Sequence, residues 1–248
     1  MDELKKITEI HNPFNSAPVY YIDSVNSTMK LAEGYCSSNS SVSGSVFMAG
    51  MQTAGRGRVP GRTWEAVQDK NLLFTLVLTK SEMVENSLPL AIGLGISKYL
   101  ENHHQLEPEI KWPNDIYVHG KKIAGIIIES RKGLFNIGIG ININQKEFSD
   151  SIVLLATSLS VEKNRDFILL EELELILIEI KDVLALDSWQ KEITHRLHNI
   201  GKEVSVSTGI PGSEEIMTGI IEGIGLSGQL LLKNEEGLLE IYSGEVKK

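Results

Sequence analysis

The chain has 248 residues, of which 42% are hydrophobic, and its formal net charge is -9 at pH 7. This length is enough for one large core, or for a large domain with a smaller one attached. The acidic balance argues against a broad nucleic-acid-binding face, because affinity for a phosphate backbone requires many clustered Lys and Arg side chains. Any anion that the protein binds should therefore be small and bound locally.

Cysteine content and hydropathy indicate the compartment. Cys36 is the only cysteine, which excludes an intrachain disulfide and favours a reducing environment. The first ten residues lack the apolar region of a signal peptide, and no later stretch reaches the ~18 apolar residues of a membrane span. We expect a cytoplasmic protein with no membrane partner.

The first part of the chain alternates between strand and helix patterns. A short helix is predicted to start near Ser27 and Thr28, and a longer one covers residues 87–104. The predicted strands are residues 17–23, 44–52, 71–79 and 133–144, with a hairpin over 110–130 that turns at His119 and Gly120. These elements predict mixed α/β layers with hairpins and argue against a simple doubly wound sheet.

The pattern changes after residue 151. Residues 165–200 have helical spacing, and Gly201 is predicted to cap the C-terminal end of a helix. Four or five short strands with Gly-rich turns follow, a pattern typical of a small barrel. We therefore predict a catalytic domain over residues 1–200 and a barrel domain over residues 201–248.

A basic, glycine-rich loop covers residues 54–65. Arg56, Arg58 and Arg62 lie among three glycines, so backbone N–H groups and guanidinium groups can converge on a carboxylate or phosphate. The alternative is a flexible surface loop whose arginines are solvated.

The stretch KWPND, Lys111–Asp115, combines a cation, an amide and a carboxylate. Because proline disfavours helical backbone in the preceding residue, Trp112 is predicted to be extended. Lys111, Asn114 and Asp115 could then serve a nucleotide phosphate, its polar neighbours and a bound Mg²⁺. The alternative is an Asn-Asp turn between strands.

Two strands have faces that lack large side chains. Gly125 interrupts the isoleucines of residues 123–128, which would let a flat ligand approach the backbone beside Lys122. The residues alone favour the alternative that Lys121 and Lys122 are an ordinary solvated pair flanking the hairpin. In residues 137–144 the isoleucines share one face, and the other carries Gly138, Gly140, Asn142 and Asn144. A packed helix could fill that space, although Asn142 favours a ligand because a polar amide beside a cavity needs a partner.

Six motifs in this order resemble the biotin protein ligases. They are NST (26–28), QTAGRGR (52–58), GRTW (61–64), KWPND (111–115), KKIAG (121–125) and GIGININ (138–144). The resemblance implies an α+β fold. It comprises a class II synthetase-like catalytic domain, in which a mixed sheet is packed with helices, and a small C-terminal SH3-like barrel.

The resemblance also implies a two-step acyl transfer. Biotin and ATP, with Mg²⁺, give biotinyl-5'-AMP, and biotin then passes to a lysine of a biotin carboxyl carrier protein. The implied biotin-side residues are Ser27, Thr28, Gln52, Gly55, Arg56, Lys122 and Gly125. The implied nucleotide-side residues are Arg58, Arg62, Trp64, Lys111, Asn114, Asp115 and Asn142. Lys122 and Arg56 are the implied catalytic residues, and Asp115 is the implied Mg²⁺ ligand.

The family pattern leaves further alternatives. About twenty residues precede the first catalytic strand, too few for the DNA-binding helices of some members, so we expect no DNA binding. Pro60 looks like a one-residue insertion, which makes the register of Arg62 less secure. A lipoate protein ligase and an adenylate-binding sensor are the other candidate functions, and the edge strands of such a sheet are compatible with a homodimer.

Overall fold

The computed structural model describes residues 3–39, 42–79, 87–187, 189–210 and 212–247. Most of the chain forms a large sheet of eight strands: β1 (Lys5–Ile7), β2 (Val19–Val25), β3 (Val46–Gln52), β4 (Asn71–Thr79), β5 (Pro108–Lys111), β6 (Asp115–Val118), β7 (Lys121–Arg131) and β8 (Leu134–Asn142). Their spatial order is β1-β2-β3-β4-β8-β7-β6-β5, and among the ladders of the described residues only that between β2 and β3 is parallel. The predicted mixed sheet is confirmed.

Helices cover both faces of this sheet. They are α1 (Thr28–Ser38), α2 (Leu88–His104), α3 (Leu159–Lys163), α4 (Leu169–Leu184) and α5 (Trp189–Thr194). Alternation along β3 sends Phe47 into a cluster under α1 and Met48 into the main core under α2 and α4. The α2–α4 contact is close, since a Cβ on Gly95 would lie 2.7 Å from Ile180 Cα. The sheet is thus buried on its α2 face, and its α1 face is only partly covered.

Five further strands follow the last helix: β9 (Glu203–Ile210), β10 (Ser213–Ile224), β11 (Leu230–Asn234), β12 (Gly237–Ile241) and β13 (Glu245–Lys247). They form one antiparallel sheet in the order β12-β11-β10-β9-β13. No ladder joins β12 to β13 among the strands of the described chain, so closure of the predicted barrel is not seen. The domain boundary at residue 200 stays a prediction.

The predicted helix cap at Gly201 is wrong. Gly201 does have a positive φ of 70°, but α5 has already ended at Thr194. Residues 195–201 form turns that lie along β5, where Ile110 N donates to Arg196 O at 2.7 Å and His198 N donates to Ile110 O at 3.0 Å. The glycine therefore serves the turn into β9.

Candidate active site

A pocket with about 500 Å³ of open space lies on the α1 face of the large sheet. It is bounded by the start of α1, the glycine-rich loop and the faces of β7 and β8. Nine of the residues predicted for the site line it: Ser27, Thr28, Gln52, Arg56, Arg58, Trp64, Asn114, Lys122 and Gly125.

The first turn of α1 fixes one end of the pocket. The Thr28 amide and hydroxyl both donate to Gln52 Oε1, at 2.8 and 3.2 Å. Thr75 on β4 donates to the Thr28 hydroxyl at 2.9 Å. The side-chain oxygen of Gln52 is therefore held by the first turn of the helix. Ser27, the N-cap residue, is buried and makes no capping side-chain bond, so its hydroxyl faces the pocket without that constraint.

The glycine-rich loop is a small hairpin. Arg56 pairs with Thr63, and Trp64 N donates to Gly55 O at 3.1 Å. Gly55 has little space, because a Cβ there would lie 3.0 Å from the Trp64 carbonyl oxygen. This pairing directs Arg56 towards β7, where its guanidinium forms an ion pair with Glu129.

The other two loop arginines contact the C-terminal sheet. Arg58 donates to Asn114 Oδ1 at 3.2 Å and to the Gly244 carbonyl at 2.7 Å. Arg62 makes a bidentate ion pair with Glu245, at 2.6 and 3.0 Å. Arg62 is not among the pocket-lining residues. The loop is thus tied to β13 on its outer side.

Charge in this contact is shaped by burial and by pairing. Burial alone would favour neutral Glu245, but hydrogen bonds from Arg62 and Lys247 lower its pKa to about 2. Burial lowers the pKa of Arg58, and the Asp115 carboxylate opposes this shift. Glu245 is therefore ionised at neutral pH.

Trp64 fills part of the space beside the glycines. A Cβ on Gly140 would lie 2.7 Å from Trp64 Cε2, and one on Gly125 would lie 3.1 Å from Trp64 Cζ3. Met29 occupies the space at Gly138 in the same way, with its sulfur 2.7 Å from a Cβ built there. Trp64 and Lys122 thus occupy the space next to Gly125, and the approach of a ligand to this part of the strand stays a prediction. The buried Trp64 Nε1 has no hydrogen-bond partner within the described chain.

Lys122 lies between a carboxylate and this indole. Its ammonium is 2.7 Å from Asp115 Oδ1 and 5.5 Å from the centre of the Trp64 ring. The contact with Asp115 is an ion pair whose geometry is not that of a hydrogen bond. Asp115 itself does not line the pocket. The arrangement places one cation at the pocket wall beside Arg56.

The stretch KWPND forms a tight turn between β5 and β6, with a cis peptide bond between Trp112 and Pro113. Asn114 N donates back to Lys111 O at 3.2 Å, so the alternative of a turn between strands is seen, and the extended backbone of Trp112 stays a prediction. The Asn114 side chain donates to Ile126 O at 2.9 Å, which fixes its oxygen towards Arg58. Trp112 Nε1 donates to the Gly228 carbonyl at 3.0 Å and ties the turn to the C-terminal sheet.

Besides Arg62 and Asp115, two further predicted nucleotide-side residues lie outside the pocket lining. Lys111 is half-buried beside Tyr117, with 3.5 Å between Nζ and the phenol oxygen. Burial lowers the pKa of Lys111, and burial with the Asp115 charge raises that of Tyr117 to about 12. The amide of Asn142 has a partner already, since it donates to Thr157 O at 3.0 Å. The argument that Asn142 needs a ligand is therefore wrong.

Three residues at the site were not found from the sequence. Met29 lies on a helix and Glu129 near the end of a strand, and neither belongs to a recognisable motif. Only the three-dimensional structure shows that Met29 lines the pocket and that Glu129 pairs with Arg56. Glu245 gave no signal because its partner, Arg62, is 183 positions away.

The described residues contain no cluster of three or more His, Cys, Asp or Glu side chains that could hold a metal ion. Among the described residues no helix is long and apolar enough to cross a membrane.

Comparison with known proteins gives consistent matches. The model of the biotin/lipoate A/B protein ligase family matches residues 21–144, and that of the biotin protein ligase C-terminal domain matches residues 200–248. The structure resembles the biotin protein ligase from Aquifex aeolicus in complex with biotin and ATP, with a TM-score of 0.81 and 31% identity over 92% of this chain and 97% of that one.

Two curated relatives extend the comparison. The bifunctional ligase/repressor BirA of Bacillus spizizenii is 29% identical over 92% of this chain and 73% of its own length. The biotin--[acetyl-CoA-carboxylase] ligase of Mycobacterium tuberculosis is 29% identical over 84% of this chain and 80% of its own length. Both matches cover more than four fifths of this chain.

Proposed function

Because the chain belongs to the biotin/lipoate A/B protein ligase family, we propose that it is an ATP-dependent biotin ligase that serves a carboxylase. In the first step, a biotin carboxylate oxygen attacks the α-phosphorus of ATP, the α–β bond breaks and pyrophosphate leaves. In the second, the amine of a lysine on a biotin carboxyl carrier protein attacks the acyl carbon, loses a proton and displaces AMP.

The observation that carries this proposal is the convergence of Arg56 and Lys122, with Arg58, on one pocket whose other lining residues are uncharged. Bringing a carboxylate to a phosphate joins two anions, so cations fixed at that point lower the barrier. No covalent intermediate on the protein is needed, and positioning supplies much of the rate. Asp115 holds the Lys122 ammonium at 2.7 Å and so sets its position.

The two ends of the pocket suit the two substrates. Ser27, Thr28 and Gln52 form a buried polar corner suited to the ureido head of biotin, and Gly125 lies near Trp64 and Lys122. Gly55 sets the loop that would cover the biotin side. Arg58, Asn114 and Trp64 lie on the nucleotide side, with Lys111 behind them. Asn142 and Arg62 contact protein groups, so we assign both a structural role around the site.

Mg²⁺ belongs to the same proposal. The ion commonly binds through one or two carboxylates together with substrate phosphates, which agrees with the lack of a metal cluster in the described chain. It would neutralise charge on the departing pyrophosphate. Asp115 would be the protein ligand of Mg²⁺. The same carboxylate also pairs with Lys122, at 2.7 Å, so its charge is shared between the ion and the lysine.

The decisive experiment is a transfer assay with a matched pair of lysine variants. Wild-type protein, biotin, ATP, Mg²⁺ and a biotin carboxyl carrier domain should give covalent biotin on the carrier, and lipoate should not substitute for biotin. Lys122→Ala should abolish biotinyl-5'-AMP formation, because the cation beside the reacting oxygens is lost. Lys121→Ala, which removes the neighbouring lysine, should remain active. Near-normal adenylation by Lys122→Ala would contradict the assigned role.

The remaining expectations are part of this proposal. They are the carrier protein as partner, a homodimer, no DNA binding and a cytoplasmic location. Analytical ultracentrifugation checks the first two, and an operator-binding assay checks the third.

A further inference from the structure

Lys122 reaches the pocket because β7 contains a bulge. Ile116 of β6 pairs with Ala124, whereas its neighbour Tyr117 pairs with Lys122, so Ile123 is an extra residue on β7. In a regular strand Lys122 would share a face with Ala124, opposite to Gly125. The extra residue reverses this order and turns Lys122 to the side of Gly125.

A bulge disrupts the ladder locally and must be held by other groups. Here residues 155–157 run beside Lys122 and bind both its backbone N–H and its backbone carbonyl. Lys122 N donates to Leu155 O at 2.8 Å, and Thr157 N donates to Lys122 O at 3.0 Å. The segment therefore fixes the backbone at the residue where the face changes.

Thr157 is itself fixed by side chains outside the pocket. Its hydroxyl donates to Glu162 Oε1 of α3 at 2.5 Å, and its carbonyl accepts from Asn142 at 3.0 Å. Thr157 is 1% exposed, and the Glu162 side chain is 12% exposed. The other Glu162 oxygen contacts His119 Nδ1 at 2.7 Å, on the turn that leads into β7. One carboxylate thus braces both the supporting segment and the turn before Lys122.

We propose that Thr157 and Glu162 are positioning residues that keep Lys122 on the pocket face of β7. Neither side chain lines the pocket, so each acts through the backbone of Lys122. The inference rests on the proposed role of Lys122 in forming the adenylate. It also gives Asn142 a structural task, since its amide holds the carbonyl of the same threonine.

Matched substitutions test this in the full-length chain. Thr157→Val keeps the shape of the side chain and removes the hydroxyl, whereas Thr157→Ser keeps the hydroxyl. Displacement of a catalytic group by about 1 Å costs up to about 100-fold in rate, so we expect Thr157→Val to lower kcat for adenylate formation about tenfold or more. The KM for biotin should change less, and Thr157→Ser should restore kcat. Glu162→Gln should behave as Thr157→Val does.

Hydrogen exchange at the Lys122 amide gives a readout that does not depend on activity. Loss of the support should speed this exchange by about tenfold, since local opening becomes easier. Thr194→Val, a threonine on α5 whose hydroxyl bonds within its helix, is the control and should change neither quantity. Unchanged exchange and unchanged kcat in both Thr157→Val and Glu162→Gln would overturn the proposal. Faster exchange with normal kcat would support the bracing and contradict the role of Lys122 instead.

Discussion

Gly140→Ala should disable the site by displacing Trp64. The added Cβ would lie 2.7 Å from Trp64 Cε2, 2.9 Å from Cζ2 and 3.2 Å from Cδ2. Unstrained contacts between carbon atoms lie at about 3.5–4.0 Å, so the indole must move by about 1 Å. A rigid ring cannot yield at one atom alone. The whole indole therefore moves relative to Lys122.

The cost can be approximated from packing. Overpacking by one methyl group typically costs about 1–3 kcal/mol, which corresponds to about 5- to 150-fold in an equilibrium or rate constant. Part of this would appear as lost stability and part as slower adenylation, because the ring borders the reacting groups. We expect biotinyl-5'-AMP formation to slow by at least about tenfold.

Single-turnover formation of biotinyl-5'-AMP, with urea unfolding, measures both parts. Gly34→Ala is the control, because a Cβ there meets nothing within 4 Å and Gly34 lies inside α1. It should keep full activity and stabilise the protein by about 0.5–1 kcal/mol. Normal adenylation by Gly140→Ala, with unchanged stability, would refute the placement of Trp64 on the strand.

Two contacts with the C-terminal sheet give further predictions. Glu245 has its pKa lowered from the ordinary 4.5 to about 2, so its pair with Arg62 stabilises the fold above pH 4.5 and loses this effect as the pH falls towards 2. Glu245→Gln should remove about 0.5 kcal/mol at pH 7 and that part of the acid dependence, measured by urea midpoints from pH 7 to pH 2. Trp112→Phe should cost about 1–3 kcal/mol in urea unfolding, because the buried carbonyl of Gly228 loses its donor; a loss no larger than that of Trp189→Phe would contradict this.

The regular elements could be predicted because one pattern of apolar residues dominates each of them. The apolar run of β4 and the packed helix α2 lie where the sequence indicated, at Asn71–Thr79 and Leu88–His104. Burial of both faces explains the unbroken apolar run. These positions depend on local pattern alone, and the mixed sheet follows from them.

Face and turn geometry at the site could not be predicted in the same way. Alternation along β7 assigns Lys122 to the wrong face, because the bulge at Ile123 depends on pairing with β6. The turn at Pro113 is closed by a bond from Asn114 N to Lys111 O that the hydrophobic pattern does not specify. The residue types of the site could thus be predicted from the sequence, but the direction of the Lys122 side chain could not.

The two ion-pair oxygens of Glu245 lie 183 positions along the chain from the arginine that they hold. Closing so long a loop is entropically costly, so the contact depends on the packing of the segments between. The hairpin of residues 55–64 can therefore adopt its anchored conformation only in a molecule whose C-terminal sheet is already docked. Tryptic cleavage at Arg62 would then report docking of that sheet.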